Sequence, residues 1–339
     1  MKKVIALSII LALICATAVF ARGGSQGSGT ERHVMVAKAT GNPYFERMFA
    51  GFKQAVEEQG FEAISRAPDQ PTVEAQIQVI DQLIAQRVTS ICVAANDYDA
   101  LQPVLTKAMN AGIKVTSADS SVNPRSRATH VNQAGIQAIG ETLVEAAFDL
   151  AGGSGEIAIL SATSQASNQN AWIAVMQEVL KQPKYSSLNL VRIAYGDDLR
   201  DKSTTETQGL LASFPNLKVI VAPTTVGVAA AAKVVQDQGL TGKVKITGLG
   251  LPSEMADYIT SGACPYMFLW NPSDLGYVSA YTGMALAKGA ITGKIGDSFT
   301  AGKLGQYKVV EAADGGTEVL LGPPFKFDPS NINEWKTVY

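Results

Sequence analysis

The stretch HVMVAKATGNPYFERMFAGFKQAVEEQG, residues 33–60, contains a short apolar strand pattern followed by a helix pattern. The strand pattern 33–38 ends at Lys38, a turn with glycine and proline follows, and the helix begins with Tyr44 and Phe45. A strand that passes through a tight turn into an amphipathic helix is the first half of a βαβ unit. The stretch therefore predicts a parallel sheet, with a cation and two aromatic rings where its first strand ends.

The alternation of strand and helix patterns continues along the chain. In the second helix Ile77, Ile80 and Ile84 fall on one face, as a period of 3.6 residues requires. Strand patterns lie at 33–38, 61–66, 90–94, 113–117, 128–131, 156–160, 188–194, 217–221, 243–248 and 264–269, and the tail 306–322 adds two short strands. Helix patterns lie at 43–58, 72–87, 99–111, 133–151, 169–182, 200–213, 225–238, 253–260 and 273–288.

This order predicts an α/β protein with two doubly wound parallel-sheet lobes in tandem. The polar connector 119–127 separates the two series, so the second series begins with the strand at 128–131. The long helix 273–288 follows the second series, which opens the possibility that the chain crosses back to the first. A length of 339 residues is sufficient for two domains.

The N-terminus has the pattern of a secretory signal peptide. Two lysines precede a mostly apolar run, Val4 to Val19, and small residues stand before the predicted cleavage point after Ala21. We therefore expect an exported, periplasmic protein with a flexible mature N-terminus at 22–31. The alternative is lipid attachment at Cys15, although the residues before it match that signal poorly.

The composition argues against two classes of binding partner, nucleic acid and anionic membrane. The formal net charge is −2 and charged residues make up only 17% of the chain, so a general attraction for nucleic acid or anionic membrane is not expected. Cys92 and Cys264 are the cysteines that follow the signal sequence. Cys92 lies in a buried-strand pattern and is interpreted as a small apolar filler, with a Cys92–Cys264 disulfide as the alternative.

Polar and aromatic side chains follow strands in both halves of the chain. Ligands of open parallel sheets bind beyond the carboxyl ends of the strands, so these side chains are candidates for a binding site. The predicted ligand-binding residues are Lys38, Tyr44, Phe45, Asn96, Asp97, Asp119, Asn168, Gln169, Trp172, Pro223, Thr225, Gly250, Trp270 and Asn271.

This combination suits a neutral, polyhydroxylated ligand. Carboxylate and amide oxygens accept hydrogen bonds from hydroxyls, lysine and amide NH₂ groups donate them, and aromatic faces cover C–H surfaces. Each residue alone also has a structural interpretation: Asp119 as a turn residue, Lys38 as a solvated cation, and Trp172, Tyr44 and Trp270 as core. The prediction rests on the same chemistry recurring in both halves.

Catalytic motifs receive little support. There is no phosphate-binding loop or nucleophile elbow, and the glycines at Gly248 and Gly250 do not complete a dinucleotide motif. His33 and His130, the two histidines, both lie in strand patterns. A sugar hydrolase that uses Asp97 and Asp119 as its carboxylate pair remains an alternative. No cofactor and no metal are expected.

The signal peptide, the two tandem lobes and the polar and aromatic residues at both facing edges resemble the periplasmic sugar-binding proteins of ABC importers, in the type I, ribose-binding-like group. Within that group three motifs, residues 37–45, 168–173 and 269–276, are most similar to rhamnose-binding and autoinducer-2-binding proteins. The resemblance covers essentially the whole mature chain. It implies two lobes joined by a three-crossover hinge, capture of a small sugar without catalysis, delivery to an ABC permease in the membrane, and a monomer.

The resemblance also implies roles and boundaries. It assigns ligand binding to Lys38 and Asp119 from one lobe and to Asn168, Gln169, Pro223 and Thr225 from the other. Autoinducer-2 binders are expected to have an acid in place of Asn168 and a smaller residue in place of Thr225, which favours L-rhamnose or another deoxyhexose or pentose. The implied N-terminal lobe is 32–126 plus 271–293, and the C-terminal lobe is 127–270 plus 294–339. A secreted carbohydrate-active enzyme and a ligand sensor for a membrane receptor are the alternative functions.

Overall fold

The computed structural model describes residues 30–339, in which Arg32–Tyr339 form one compact unit. The predicted signal peptide 1–21, the lipid-attachment alternative at Cys15 and nearly all of the segment 22–31 lie outside the described residues. Among residues 30–339, none of the helices combines the length and the apolar character that a membrane span requires.

The larger sheet has seven strands in the order β13-β14-β5-β4-β3-β1-β2. All neighbouring pairs are parallel except β13 and β14, which are antiparallel. Its strands are β1 (Arg32–Val36), β2 (Glu62–Arg66), β3 (Ser90–Val93), β4 (Lys114–Ala118), β5 (His130–Asn132), β13 (Val310–Glu311) and β14 (Thr317–Leu320).

The smaller sheet has four parallel strands in the order β7-β6-β8-β9. Two antiparallel pairs, β10 with β15 and β11 with β12, complete the strands of residues 30–339. The bounds are β6 (Gly155–Ser161), β7 (Leu188–Tyr195), β8 (Leu217–Ala222), β9 (Lys245–Gly248), β10 (Met267–Leu269), β11 (Ser298–Thr300), β12 (Gln306–Lys308) and β15 (Phe325–Phe327).

Ten α-helices accompany these strands in the described part of the chain. Their bounds are α1 (Pro43–Glu57), α2 (Val73–Ala85), α3 (Gln102–Asn110), α4 (Ile136–Leu150), α5 (Ser167–Leu180), α6 (Arg200–Ser213), α7 (Thr225–Asp237), α8 (Pro252–Ser261), α9 (Pro272–Ala287) and α10 (Ile332–Trp335). This confirms the α/β class with parallel sheets and helices.

Helix α1 begins where local chemistry places it. The Asn42 side chain accepts a hydrogen bond from the backbone N–H of Tyr44 at 3.0 Å, which caps the helix, and Pro43 occupies the first helical position. Met48 and Phe52 lie on its buried face. Asn42 and Pro43, at the start of α1, therefore determine the direction in which the first turn of the helix projects.

Helices α1 and α9 cross at backbone contact. A Cβ atom built on Gly51 lies 1.8 Å from the carbonyl oxygen of Ser273, and one built on Gly276 lies 1.8 Å from the carbonyl oxygen of Met48. Only residues without a Cβ permit this approach, so the two glycines join the first helix of the chain to one that is more than 200 residues away.

We expect Gly276→Ala to lower the free energy of unfolding by about 2–3 kcal/mol, because the added methyl group forces the two helices apart. Gly209→Ala is the matched control: Gly209 lies within α6 with no neighbouring atom within 4 Å of a built Cβ. That control should be neutral or stabilising by up to about 1 kcal/mol. Urea unfolding measures both, and equal stability of the two variants would show that the α1–α9 contact is not tight.

The sheets do not follow the implied lobe boundaries. Strand β5 pairs with β4, although 127–132 was assigned to the C-terminal lobe, and β14 of the tail pairs with β5. The chain moves between the sheets in the segments 132–136, 269–272 and 320–325, instead of at the implied boundaries 126/127, 270/271 and 293/294. Three crossings remain, but the first and last lie further along the chain.

The connector 119–127 is a folded loop of the seven-stranded sheet. The Arg127 guanidinium is buried, donates to the Ser121 hydroxyl and the Val122 carbonyl, and contacts both carboxylate oxygens of Asp314 at 3.0 and 2.9 Å. This ion pair joins the connector to the loop between β13 and β14. Because this ion pair holds the connector against the seven-stranded sheet, the chain continues from β4 into β5 of the same sheet.

Cys92 and Cys264 are both buried and carry free thiols, so the disulfide alternative is wrong for this structure. Burial raises the pKa of the Cys92 thiol to about 11, which keeps it neutral. It behaves as the small apolar filler that its strand pattern predicts.

Candidate functional site

A cavity of about 30 Å³ lies between the carboxyl ends of the strands of both sheets. This space holds roughly one or two water molecules, so a small-molecule ligand requires the surrounding side chains to move apart. The residues that line it are Lys38, Asn42, Tyr44, Phe45, Asp119, Asn168, Gln169, Trp172, Asp198, Pro223, Thr224, Thr225, Leu249, Leu269 and Trp270. We call it the first cavity.

Lys38, Asn168 and Asp119 form a polar bridge across the first cavity. Lys38 Nζ donates to Asn168 Oδ1 at 3.5 Å and lies 3.7 Å from Asp119 Oδ2. Asn168 Nδ2 in turn donates to Asp119 Oδ2 at 3.3 Å. Lys38 follows β1 and Asp119 follows β4, whereas Asn168 lies in the first turn of α5, so the bridge joins side chains from the two sheets.

A second chain of hydrogen bonds runs through the aromatic wall. Trp270 Nε1 donates to Tyr44 Oη at 2.8 Å, and the Tyr44 hydroxyl donates to Asp119 Oδ1 at 3.2 Å. The Trp270 ring also packs against Tyr44 and Trp172, with centroids 6.3 and 6.0 Å away. The Asp119 carboxylate that faces the cavity therefore also orients the Tyr44 ring and, through it, the Trp270 ring.

Burial dominates the electrostatics of this wall. It raises the pKa of the Asp119 carboxyl, while the nearby charge of Lys38 opposes that shift. Burial, reinforced by the charge of Asp119, also raises the pKa of the Tyr44 hydroxyl. Tyr44 therefore remains a neutral donor at physiological pH.

Two acids face the cavity from left-handed backbone positions. Asp119 has φ of 63° and Asp198, which follows β7, has φ of 54°. The Asp198 carboxylate accepts a hydrogen bond from the Thr224 hydroxyl. Non-glycine residues in this conformation are uncommon, and asparagine and aspartate tolerate it best. The backbone at both acids is thus held in place by its surroundings.

Gln169 is fixed at its oxygen end. Its Oε1 atom accepts from the Ser161 hydroxyl and from the backbone N–H of Ala162, both at 2.7 Å. This leaves the amide NH₂ group as the donor available at the cavity. Beside it, Pro223 and Thr225 form the wall at the start of α7.

Ten of the fourteen predicted residues line the first cavity, and Asn96 and Asp97 do not. Asn96 is buried and its Nδ2 donates to the carbonyl oxygen of Lys38 at 2.8 Å. The Asp97 carboxylate accepts from the backbone N–H groups of the next turn, at residues 99 and 100. Both side chains hold the loop after β3, so they support the cavity without facing it.

Gly250 and Asn271 also lie outside the lining. A Cβ built on Gly250 lies 2.4 Å from the sulfur of Met267, so this glycine serves close packing. The Asn271 carboxamide oxygen caps α9 by accepting from the backbone N–H of Ser273 at 2.9 Å. Local structure therefore accounts for both residues.

The cavity also contains residues that the selected set omits. They are Asn42, Asp198, Thr224, Leu249 and Leu269. Asp198 is the most consequential, because it adds a second carboxylate to the wall. The rule that found the others also identifies it, since it stands three residues after the end of β7.

The arrangement as a whole can bind a neutral polyol. One buried cation, two acids and several amide and hydroxyl groups offer donors and acceptors at close spacing, while four aromatic rings cover an apolar face. Charged partners strengthen such hydrogen bonds where water is excluded.

Comparison with known proteins identifies a matching family. A model of the family described as periplasmic binding protein domain matches residues 33–291. A D-ribose/D-allose-binding protein of Pseudomonas aeruginosa is 26% identical over 229 residues, which are 64% of this chain and 70% of that protein.

Two solved structures extend the comparison. An ABC transporter solute-binding protein from Clostridium phytofermentas with bound L-rhamnose is 52% identical, with a TM-score of 0.90 over 92% of this chain and 99% of that one. LsrB from Clostridium saccharobutylicum in complex with AI-2 is 23% identical, with a TM-score of 0.85 over 90% of this chain and 99% of that one, and shows a shared fold.

Proposed function

Since the chain belongs to the periplasmic binding protein family, we propose that it captures L-rhamnose between two lobes and delivers it to the permease of an ABC importer. The family and the similar structures are substrate-binding proteins of transporters, so the protein is a sugar-binding, extracytoplasmic solute-binding protein and not an enzyme. The observation that carries the choice of sugar is the 52% identity to a protein with bound L-rhamnose.

The side chains of the first cavity support a 6-deoxyhexose. Lys38, Asp119 and Asn168 are placed to exchange their mutual hydrogen bonds for bonds to ring hydroxyls, and Tyr44 and Trp270 offer an apolar face for the C–H surface and the methyl group. Asn168 and Thr225 are also the two positions at which the chain departs from the pattern expected of autoinducer-2 binders.

The proposed mechanism is closure of two lobes around the sugar. We take the lobes to follow the sheets: the seven-stranded sheet with α1 and α9 supplies Lys38 and Asp119, and the four-stranded sheet supplies Asn168, Gln169 and Thr225. An open form binds the sugar on one lobe, and closure through the three crossing segments adds the other contacts. The closed form then presents both lobe surfaces to the permease.

The expected affinity is in the micromolar range, equivalent to about −8 kcal/mol. Roughly six to ten hydrogen bonds at about 0.5–1.5 kcal/mol each are sufficient for it. The proposal includes cleavage of the signal peptide, a periplasmic location and a monomeric protein.

A ligand screen tests the proposal. L-rhamnose at about 1,000 times its dissociation constant should raise the melting temperature by roughly 5–10 °C, because binding to the folded state stabilises it by about 4 kcal/mol. D-ribose, D-xylose, D-galactose and autoinducer-2 at the same concentration should give smaller shifts. A larger shift with autoinducer-2 would reassign the ligand, and no shift with any of these compounds would overturn the proposal.

A further inference from the structure

A second cavity adjoins the first, on the side of the crossing segment 132–136. Its volume is about 270 Å³, and it shares Asp119, Asn168 and Trp172 with the lining of the first cavity. Side chains alone therefore separate the two spaces. The narrowest polar part of this partition is the Asn168 Nδ2 to Asp119 Oδ2 hydrogen bond, at 3.3 Å.

Gln133 gives the second cavity an unused polar group. Its side chain lines the cavity and is 1% exposed, and neither its amide nitrogen nor its amide oxygen has a hydrogen-bond partner in the structure. An unpartnered buried amide costs about 1–3 kcal/mol, and buried polar groups in folded proteins are nearly always partnered. A ligand that both donates to and accepts from Gln133 satisfies this amide, and it reaches the two buried amide atoms when the cavity wall moves.

The rest of the wall defines the chemistry of that ligand. Ile136, Ala171 and Ala312 supply apolar surface, while the Arg127–Asp314 ion pair stands at the polar side. The two charges of that pair neutralise each other, and burial holds the pKa of His130 at about 3, which keeps its imidazole neutral. The Glu318 carboxylate also lines the cavity and accepts a hydrogen bond from Asn132 Nδ2 at 2.9 Å. A neutral group with apolar faces and a few hydroxyls that donate to the carboxylates is complementary to this wall.

We propose that the second cavity receives the second unit of a glycoside, either another sugar ring or an aglycone, whose deoxyhexose end lies in the first cavity. This inference rests on the proposed function. The sugar displaces the Asn168–Asp119 hydrogen bond when its hydroxyls take over those partners, and the glycosidic oxygen then passes through the opened partition. The protein is thereby a receptor for a rhamnoside as well as for the free monosaccharide.

Calorimetry with L-rhamnose, p-nitrophenyl α-L-rhamnoside and an α-1,2-linked rhamnose disaccharide tests the proposal. We expect at least one glycoside to bind the full-length mature protein at least as tightly as L-rhamnose. Ala171→Phe, which fills the second cavity without touching the first, should weaken that glycoside about tenfold or more and leave L-rhamnose within about twofold. Ala174→Phe, on the exposed side of the same helix, is the matched control and should change neither.

Gln133→Leu provides an independent variant, since it removes the amide and keeps the volume. Gln133 lies in the crossing segment 132–136, whose movement both ligands share, so the readout is the ratio of the two affinities: we expect glycoside binding to weaken by up to about tenfold relative to L-rhamnose binding. If L-rhamnose binds and no glycoside does, or if Ala171→Phe leaves glycoside binding unchanged, the second cavity is not a subsite and the proposed function stands. If neither L-rhamnose nor any glycoside binds, the proposed function fails and this inference fails with it.

Discussion

Asp119→Asn is expected to weaken sugar binding about a hundredfold. The carboxylate stands where the polar bridge and the aromatic chain meet, contacting Lys38, Tyr44 and Asn168. A hydrogen bond to a charged group contributes about 1.5–3 kcal/mol, and a hundredfold change corresponds to about 2.7 kcal/mol. Asparagine is the informative substitution because it adopts the left-handed backbone of Asp119 more readily than alanine does.

The same substitution should leave the fold intact. Burial raises the pKa of the Asp119 carboxyl, so the ionised acid itself costs folding free energy at neutral pH. Removal of that cost offsets part of the penalty of leaving the buried Lys38 ammonium without its carboxylate, which alone is about 3–5 kcal/mol. The free energy of unfolding in urea should therefore fall by about 1–3 kcal/mol, with the variant still folded. Isothermal titration calorimetry measures the affinity.

Asp97→Asn is the matched control for this experiment. It is the same substitution in the same sheet, at a carboxylate that holds a turn outside the first cavity. Its affinity should stay within about twofold of the wild type, since the asparagine oxygen can accept the same two N–H groups. Equal loss of affinity in both variants, or unchanged affinity in Asp119→Asn, would show that Asp119 is not part of the binding site.

Trp270→Ala is expected to lower the free energy of unfolding by about 3–5 kcal/mol and to weaken sugar binding as well. The ring is 4% exposed, packs between Trp172 and Tyr44, and orients the Tyr44 hydroxyl through its indole N–H. Its loss leaves a cavity and releases Tyr44 from its position beside Asp119. Guanidinium unfolding and calorimetry at a temperature where the variant is folded measure the two effects.

Trp335→Ala separates stability from binding. Trp335 packs in an aromatic cluster with Phe325, Phe327 and Tyr339, away from the first cavity. We expect this control to lose stability while it keeps its affinity. Trp270→Phe adds a finer comparison, because it retains a ring and removes the 2.8 Å bond to Tyr44. If Trp270→Ala lost stability with normal affinity, the ring would be plain core.

The sequence predicts most of the first cavity because one rule of parallel sheets brings strand ends together. Lys38 and Asp119 were found in this way, and both line the cavity. The rule gives the edge of the sheet but not the direction of each side chain, so it also selected Asn96 and Asp97, which hold the loop after β3. It was not applied to the loop after β7, where Asp198 stands.

Which strands pair with each other was less predictable than where the strands lie in the sequence. Helix α2 (Val73–Ala85) lies within the predicted range 72–87, because helical periodicity is a local property. The pairing of β5 with β14, by contrast, joins segments that are nearly 190 residues apart, and the buried Arg127–Asp314 pair reinforces it. No local pattern encodes such a contact, so the lobe boundaries could not be set from periodicity.

The positive φ angles of Asp119 and Asp198 constrain how this protein can acquire a new specificity. At both places the chain accepts aspartate, asparagine or glycine at low conformational cost, and most other side chains add strain. Mutations at these two positions can therefore remove or restore a negative charge, but they can hardly change the size of the side chain. Size discrimination must evolve at other wall residues, in ordinary helical conformations, such as Asn168 and Thr225.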